Sequence, residues 1–422
     1  MSAAQSSLWA QTSTDQIQTA PLAASRQYDL VVIGGGFTGC AAALEAAAMG
    51  ASVCLLEAET IGYGGSGRNV GLVNAGLWLP PDEIIAQMGE AAGTKLVELL
   101  GQAPDRVFDL ITREAISCEA TRAGTLHCAH SQAGFADLAE RHRQGNRFGA
   151  PLQLLDKPEA DARVGSDAFQ GALWDPRAGT IQPLSYCLGL ARAAMAKGAT
   201  IHEASPVSQI ARKAEAWQIT SNGVDLQANA LLVATNAYHL GIEAPLRPAF
   251  TPVHYSQFAT IPMDAATRES ILAGGEGCWD TAKVMTSFRV DRAGRMIIGG
   301  MGNVGGAGAA VHTAWARRKL RSLFPQIGEL PFEHIWHGKI AMTSDYIPKI
   351  LEFGPKAYAC FGYSGRGIGP GTVFGTEAAR ALLSGDQTGL PIAPVTHHSE
   401  RFSTLKGAVL ELGATLTHAI TR

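Results

Sequence analysis

Gly34, Gly36 and Gly39 stand in G-x-G-x-x-G spacing within the run Gly34-Gly35-Gly36-Phe37-Thr38-Gly39. The first glycine permits a tight turn, the second lets backbone approach a pyrophosphate, and the third lets a helix lie close on a strand. A helix that starts at such a turn presents free N–H groups and a positive dipole end to phosphate. Glu57 lies 57 − 34 = 23 residues after Gly34. A carboxylate at that distance accepts hydrogen bonds from ribose hydroxyls. Phe37, Thr38 and Ala58 flank these positions and count with them. The set points to a bound dinucleotide. A second glycine-rich loop, Gly62 to Gly71 (GYGGSGRNVG), follows directly. A nicotinamide dehydrogenase does not need it, whereas a flavin and its ribityl tail lie against closely approached backbone. FAD is the expected cofactor.

The elements that must position these residues are legible. Leu30 to Ile33 is a short apolar run, read as a buried parallel strand. Cys40 to Met49 is an Ala-rich helix former ended by Gly50, and Ser52 to Leu56 is a second buried strand. Downstream, residues 82–115 read as helical, with short strands near 116–130, and Ala133 to Phe148 as a surface helix. Pro183 to Lys197 is a helix, Thr200 to Glu203 a strand, Gln209 to Thr220 a strand or hairpin, and Leu231 to Ala234 a buried strand. Tyr255 to Ile261, Val284 to Val290 and Met296 to Ile298 read as β; Ala314 to Phe324 and Gly371 to Leu383 read as helices. Apolar residues at helical spacing from Leu405 to Ile420 predict a terminal helix packed on the body.

Composition narrows the class. With 34 Lys and Arg against 37 Asp and Glu, the chain is nearly neutral and has no dense basic run, which disfavours nucleic acid. Charged residues make up 17%, below the ~25% of typical domains, so a large core is expected rather than disorder. Glycine, 48 of 422, is concentrated in three runs, as close backbone approach to a ligand requires. Seven scattered cysteines without C-x-x-C disfavour a disulfide framework or a metal site and favour the cytoplasm. No secretory signal and no membrane-spanning run is expected. A peripheral membrane contact through the terminal helix is the lesser reading, because basic residues are lacking there.

Several segments resemble the D-amino-acid-oxidase-type (DAO) superfamily of FAD enzymes, and within it γ-glutamylputrescine oxidoreductases and L-pipecolate oxidases. These are YDLVVIGGGFTG and VCLLE followed by IGYGGSGRNVG; LLVATNAY (231–238); Trp336-His337-Gly338 with Thr343, Asp345 and Pro348; and Phe361-Gly362-Tyr363-Ser364-Gly365-Arg366-Gly367-Ile368. The match is collinear from about residue 28 to 390, and the last two motifs are its most specific part. The resemblance implies ADP binding by Gly34, Gly36, Gly39 and Glu57, and adenine contact at Val207. Ser66, Gly67, Arg68 and Asn69 would meet the ribityl and flavin. Ala234 and Gly338 would line the cofactor, and amides of Gly365, Gly367 and Ile368 would face the flavin N1/C2 carbonyl edge. Arg366 stands where the family often has His. Arg366, Lys339, Tyr363 and His254 are the candidate catalytic residues.

The implied chemistry is hydride transfer from a C–H beside nitrogen to flavin N5, giving an imine that water hydrolyses. A γ-glutamylputrescine-like substrate is favoured, with L-pipecolate or another cyclic imino acid as the alternative. O2 or a respiratory quinone would accept the electrons. An FAD-binding subunit of a heteromeric amine dehydrogenase is an alternative of another class. No residue matches a covalent flavin attachment site, so non-covalent FAD is expected, and no metal. The expected fold is α/β: a Rossmann-type FAD-binding domain interleaved with an α+β substrate domain having a mixed, largely antiparallel sheet. Its expected parts are an arm at 1–27, an FAD domain from 28–95, 151–243 and 334–400, a substrate domain from 96–150 and 244–333, and a terminal helix at 401–422.

Overall fold

A computed structural model of the chain describes residues 7–239 and 241–421. Residues 1–6 of the expected arm, residue 240 of the expected FAD domain and residue 422 of the terminal helix lie outside the described residues. The strands form two large sheets. The first is built from β1 (Gln27–Ile33), β2 (Val53–Leu56), β8 (Thr200–His202), β9 (Val207–Lys213), β10 (Ala216–Ser221), β11 (Val224–Val233), β17 (Lys349–Gly354) and β18 (Ala357–Phe361). The second is built from β4 (Thr125–Cys128), β5 (Gln153–Leu155), β6 (Ala172–Asp175), β12 (Thr251–Pro262), β13 (Gly277–Asp280), β14 (Thr286–Val290), β15 (Arg295–Met301) and β16 (Phe332–Met342). A small ribbon pairs β3 (Leu72–Val73) with β7 (Gly179–Thr180).

The helices, in chain order, are α1 (Leu8–Thr12), α2 (Phe37–Ala48), α3 (Pro81–Met88), α4 (Glu90–Gly101), α5 (Ala103–Arg113), α6 (Gln132–Arg147), α7 (Lys157–Val164), α8 (Pro183–Ala196), α9 (Ala265–Glu269), α10 (Ala309–Leu323), α11 (Ile368–Ser384) and α12 (Ser403–Ile420). The expected helix over 82–115 is three helices, broken at Gly89 with its φ of +82° and at Gln102.

In the first sheet β1 is central. It pairs in parallel with β2 on one side and β11 on the other, and β18 continues beyond β11. Its apolar run is needed because both faces are covered. On one face Leu30, Val32, Val53 and Leu55 share a core with Leu44, Leu190 and Phe374, from α2, α8 and α11. On the other, Val31, Ile33, Cys54 and Leu56 lie under Ile210, Trp217 and Ile219 of the β9–β10 hairpin. The second sheet is antiparallel except where β13 joins β4 in parallel. Its core sets Phe258, Phe288 and Ile298 against Trp315, Leu320 and Phe324 of the α10 region. This is the interleaved α/β architecture that the sequence implies.

Strand pairing moves two of the expected boundaries. Residues 151–175, expected in the FAD domain, supply β5 and β6 to the second sheet through pairing with β4. Likewise β16 begins at Phe332 and pairs with β12 along the second sheet, although 334–342 was expected with the first unit. Helix α5, expected in the substrate domain, buries Val107 and Phe108 in the first core. Apolar patterning shows that a segment is buried and not which sheet buries it.

Helix α12 does dock on the body, but by the face opposite the expected one: Leu405, Val409, Leu412, Leu416 and Ile420 are exposed, and Ala414 and His418 are buried. His418 is buried, stacks on Trp315 at 3.8 Å and hydrogen-bonds His312 at 2.8 Å. Glu411 faces His312, and Arg318 donates to the His418 carbonyl. Burial, and next the neighbouring His312, lower the His418 pKa from 6.5 to about 3. A histidine held neutral in the folded state contributes stability above its unfolded pKa and loses it as pH falls through that value toward the folded one. Melting temperature should therefore fall as pH drops from 7.5 toward 4. His418→Phe, which keeps the stack, should flatten that fall; equal slopes in both proteins would refute the assignment. A second prediction concerns the α2–α11 crossing. A Cβ on Gly375 would sit 2.1 Å from the Thr38 carbonyl. Gly375→Ala should cost about 1–3 kcal/mol, visible as a melting shift of about 2 °C or more.

Candidate active site

The turn after β1 depends on glycine at positions 34 and 39. Gly34 has φ +107°, and its Cβ would lie 3.0 Å from the backbone of Ala234. A Cβ on Gly35 would strike Ile61 at 2.4 Å, and one on Gly39 would strike the Gly34 carbonyl at 1.9 Å. Gly39 thus serves close helix packing, as the spacing implies, and does not line the cleft. The Gly35 amide donates to the Glu57 carboxylate at 2.6 Å, and the Glu59 amide donates to its other oxygen at 3.0 Å. Burial pushes the Glu57 carboxyl up, while those amides hold it down. Gly36 caps α2 without a side chain, so the helix start is left to other acceptors. One of its amides, that of Phe37, donates to the Ser66 hydroxyl at 3.0 Å, which joins the two glycine-rich loops.

The second loop is held rigidly. Asn69 donates to the carbonyls of Gly65 and Ser66, both at 2.9 Å, and accepts from the Gly71 amide at 2.8 Å. Two indoles grip the loop from below. Trp9 donates to the Asn69 carbonyl at 2.7 Å, and Trp336 donates to the Arg68 carbonyl at 3.0 Å. Their rings meet edge to face at 6.0 Å. The Ser7 hydroxyl donates to the carbonyl of Gly67, which is buried beneath the cleft rather than lining it. Arg68 lies over the Tyr63 ring and donates to the Tyr63 and His337 carbonyls.

One cleft with about 570 Å³ of internal space runs between the two sheets. One end is lined by Gly34 to Thr38, Glu57, Ala58 and Val207; its middle by Ser66, Arg68, Asn69, Ala234, Gly338 and Lys339; and it continues past Gly365, Gly367 and Ile368. The C-terminal motifs meet each other here. The Gly362 amide donates to Asn236 at 3.0 Å, and the Lys339 amide donates to the Tyr238 hydroxyl at 3.0 Å. The Thr343 amide donates to the Ser364 hydroxyl. Gly367 caps α11, again without a side chain, so this helix too offers first-turn N–H groups at the cleft.

The candidate catalytic residues divide. Lys339 lines the cleft, its Nζ 5.9 Å from the Tyr238 ring centre. Tyr363 touches the cleft, but its hydroxyl is spent on Thr38 at 2.8 Å and its ring on Phe374. It ties the flavin loop to α2 rather than closing the pocket. Arg366 lies between Trp78 and Trp279, 4.8 and 5.1 Å from their ring centres, and donates to the Ala75 carbonyl. It is not among the lining residues; burial, and next Arg141, push its guanidinium down to about 9. His254 points to the other side of β12, beside His337 at 5.9 Å, because neighbours alternate along a strand; Val253 and Tyr255 line the cleft instead.

Sequence reading missed the outer chamber. Trp78, Trp279 and His127 pack together there, with Arg141 and Asp137 next to Trp78, and Tyr255 and Lys283 also line the cleft. His127 stacks on Trp279 at 5.0 Å, and burial holds its pKa well below the usual histidine range. Arg141 pairs with Asp137 at 2.8 Å and donates to the Trp78 carbonyl. Only Tyr255 had a local signal, at the strand that follows Pro252.

The cleft fits FAD on its own geometry. It has two helix starts capped by glycines, a turn that admits no Cβ at Gly34 or Gly39, and a half-buried acid just after β2. Gly34 to Thr38 and Glu57 would hold the ADP half. Ser66, Arg68, Asn69 and the head of α11 would hold the flavin half. Replacing Trp9 with Ala should cost about 3–5 kcal/mol and free the loop carbonyls. Flavin should then be lost on gel filtration, whereas Trp9→Phe should lose less; equal flavin content in all three proteins would contradict the clamp.

Comparison with known proteins agrees with this geometry. The family model described as FAD dependent oxidoreductase (DAO) matches residues 29–381. Probable oxidoreductase OrdL of Haemophilus influenzae is 30% identical over 380 residues, covering 88% of this chain and 86% of that protein. Gamma-glutamylputrescine oxidoreductase of Escherichia coli is 30% identical over 361 residues, covering 85% and 84%. The solved structure of glycine oxidase from Geobacillus kaustophilus superposes with a TM-score of 0.71 at 21% identity, covering 88% of this chain and all of that one, and shows the shared fold. The chain belongs to the DAO family of FAD-dependent oxidoreductases.

Proposed function

We propose that this oxidoreductase acts on the C–N bond of a primary or secondary amine that carries an amino-acid head group, of the γ-glutamylputrescine kind. The observation that carries this reading is the polar end of the outer chamber. Arg141 and Asp137 stand there as an ion pair, and both line the cleft. A zwitterionic head needs one cation for its carboxylate and one anion for its ammonium. The similarity to gamma-glutamylputrescine oxidoreductase supports the same substrate class.

When bound, FAD supplies the acceptor for the hydride that leaves the carbon beside nitrogen. The chain's own groups orient and polarise. Trp78, Trp279 and Tyr255 give the chamber walls that exclude water from an aliphatic linker. Lys339 and the first-turn amides of α11 place positive charge on the cofactor side, where they favour negative charge that develops on reduction. No dedicated base is needed if the amine enters neutral. We read the FAD as non-covalent: the seven cysteines are all free and buried, which also accords with a reducing compartment. The acceptor, O2 or a quinone, is read from Lys339, whose charge would favour O2.

The test is an anaerobic titration with γ-glutamylputrescine, L-pipecolate, sarcosine, L-proline and D-alanine. Bleaching of the flavin band near ~450 nm by the first compound is expected. Bleaching by L-pipecolate alone would overturn the substrate class, and no bleaching by any compound would favour a partner-dependent subunit. Arg141→Ala should lose about 1.5–3 kcal/mol of head-group binding, a roughly tenfold or greater rise in KM with a smaller change in kcat. Lys339→Met should slow reoxidation in air more than anaerobic reduction. Acid precipitation should release the flavin into the supernatant.

A further inference from the structure

Helix α12 and the residue before it carry an apolar stripe that nothing covers among the described residues. Phe402, Leu405, Val409, Leu412, Leu416 and Ile420 are 57–80% exposed. Elsewhere among the described residues only Met49, Tyr346 and Val395 are exposed apolar side chains of that size, each at 46% or less. The stripe is not a misplaced inner face. The inner face is occupied: Ala414 and His418 are buried, and a Cβ on Gly407 would strike the Pro252 carbonyl at 2.6 Å.

The stripe has the geometry of a helix seam. Its residues are spaced 3, 4, 3, 4 and 4 apart, the a/d rhythm of a coiled coil. At 100° per residue they fall within an arc of about 80°, narrower than the face by which a helix lies on a broad apolar surface. Small residues flank it: Ala408 and Gly413 leave room for a second backbone. The charge pattern opposes a lipid surface, because the one lysine of the helix, Lys406, is paired with Glu400. The six side chains expose on the order of 700 Å², close to the ~800 Å² per partner of a standard interface.

We propose that this stripe is the interface of a two-fold dimer, with α12 of a second copy of this chain packed antiparallel on it. The seam fixes the register. A two-fold axis between Leu410 and Glu411 sets Leu405 against Leu416, Val409 against Leu412 and Phe402 against Ala419, each contact made twice, as an isologous interface requires.

The flavin-loaded full chain should sediment at twice the chain mass at micromolar concentration. Val409→Glu and Leu412→Lys should each halve that mass while leaving flavin content and far-ultraviolet circular dichroism unchanged. An equal mixture of the two variants should restore a dimer, because the register puts the new carboxylate against the new ammonium. A wild-type monomer, a dimer that survives both single changes, or a mixture that stays monomeric would overturn the proposal. So would a monomer that binds phosphatidylglycerol vesicles through the same stripe, which would assign it to a lipid surface.

Discussion

Everything in this molecule is arranged around helix α2, which is pressed so closely between a strand end and another helix that no side chain fits at either contact. Gly39 lies against the carbonyl of Gly34, and Gly375 of α11 lies against the carbonyl of Thr38. This double pinch brings the α2 amides to the mouth of the cleft and sets their distance from the head of α11. Two helix starts thereby face one channel, each with a glycine as its cap residue. Backbone N–H groups are fixed in place by the fold, so they stabilise negative charge without the reorganisation that a flexible side chain requires. The glycines are the physical condition for that arrangement.

The second sheet completes the site from the other side. Strand β16 gives Gly338 and Lys339 to the cleft, while its Trp336 reaches under it to the loop at residues 65–69. Trp9 does the same from the N-terminal arm. Two segments remote in sequence therefore hold a loop of a few residues. Such over-determination suits a surface that must present carbonyls and amides to a rigid ring system. It also explains why Leu8 and Trp9, in an otherwise mostly exposed arm, are buried as deeply as any core strand.

The nucleotide half of the site was legible because its chemistry is local. Gly34, Gly36, Gly39 and Glu57 belong to one strand–turn–helix–strand unit, and spacing alone displays their relation. The flavin half was legible through resemblance, and Ser66, Arg68, Asn69, Gly365 and Gly367 do converge. The half proposed to take the substrate was not. Trp78, His127, Arg141 and Trp279 come from four separate segments, and only the pairing of β4 with β13 brings two of them together. His254 was misplaced by one residue, which on a strand is the difference between two faces. Arg366 was placed on the right loop, but its side chain is taken by two indoles whose position no local pattern announces. Residues 151–175 and 334–342 pair away from their expected sheet for the same reason at larger scale, since a short apolar segment does not say which sheet will take it.

That central strand has a temporal implication. Residue Gln27 of β1 pairs with Gln227 of β11, and the neighbouring β18 starts at Ala357. On a ribosome the glycine turn is made early, yet the strand beside it arrives two hundred residues later and the helix that pinches α2 later still. Contacts so distant along the chain close slowly. The nascent N-terminal third must wait with an apolar edge unpaired, the condition in which chaperones engage a growing chain. The fold that offers the cofactor its seat is thus completed only when its last helices emerge.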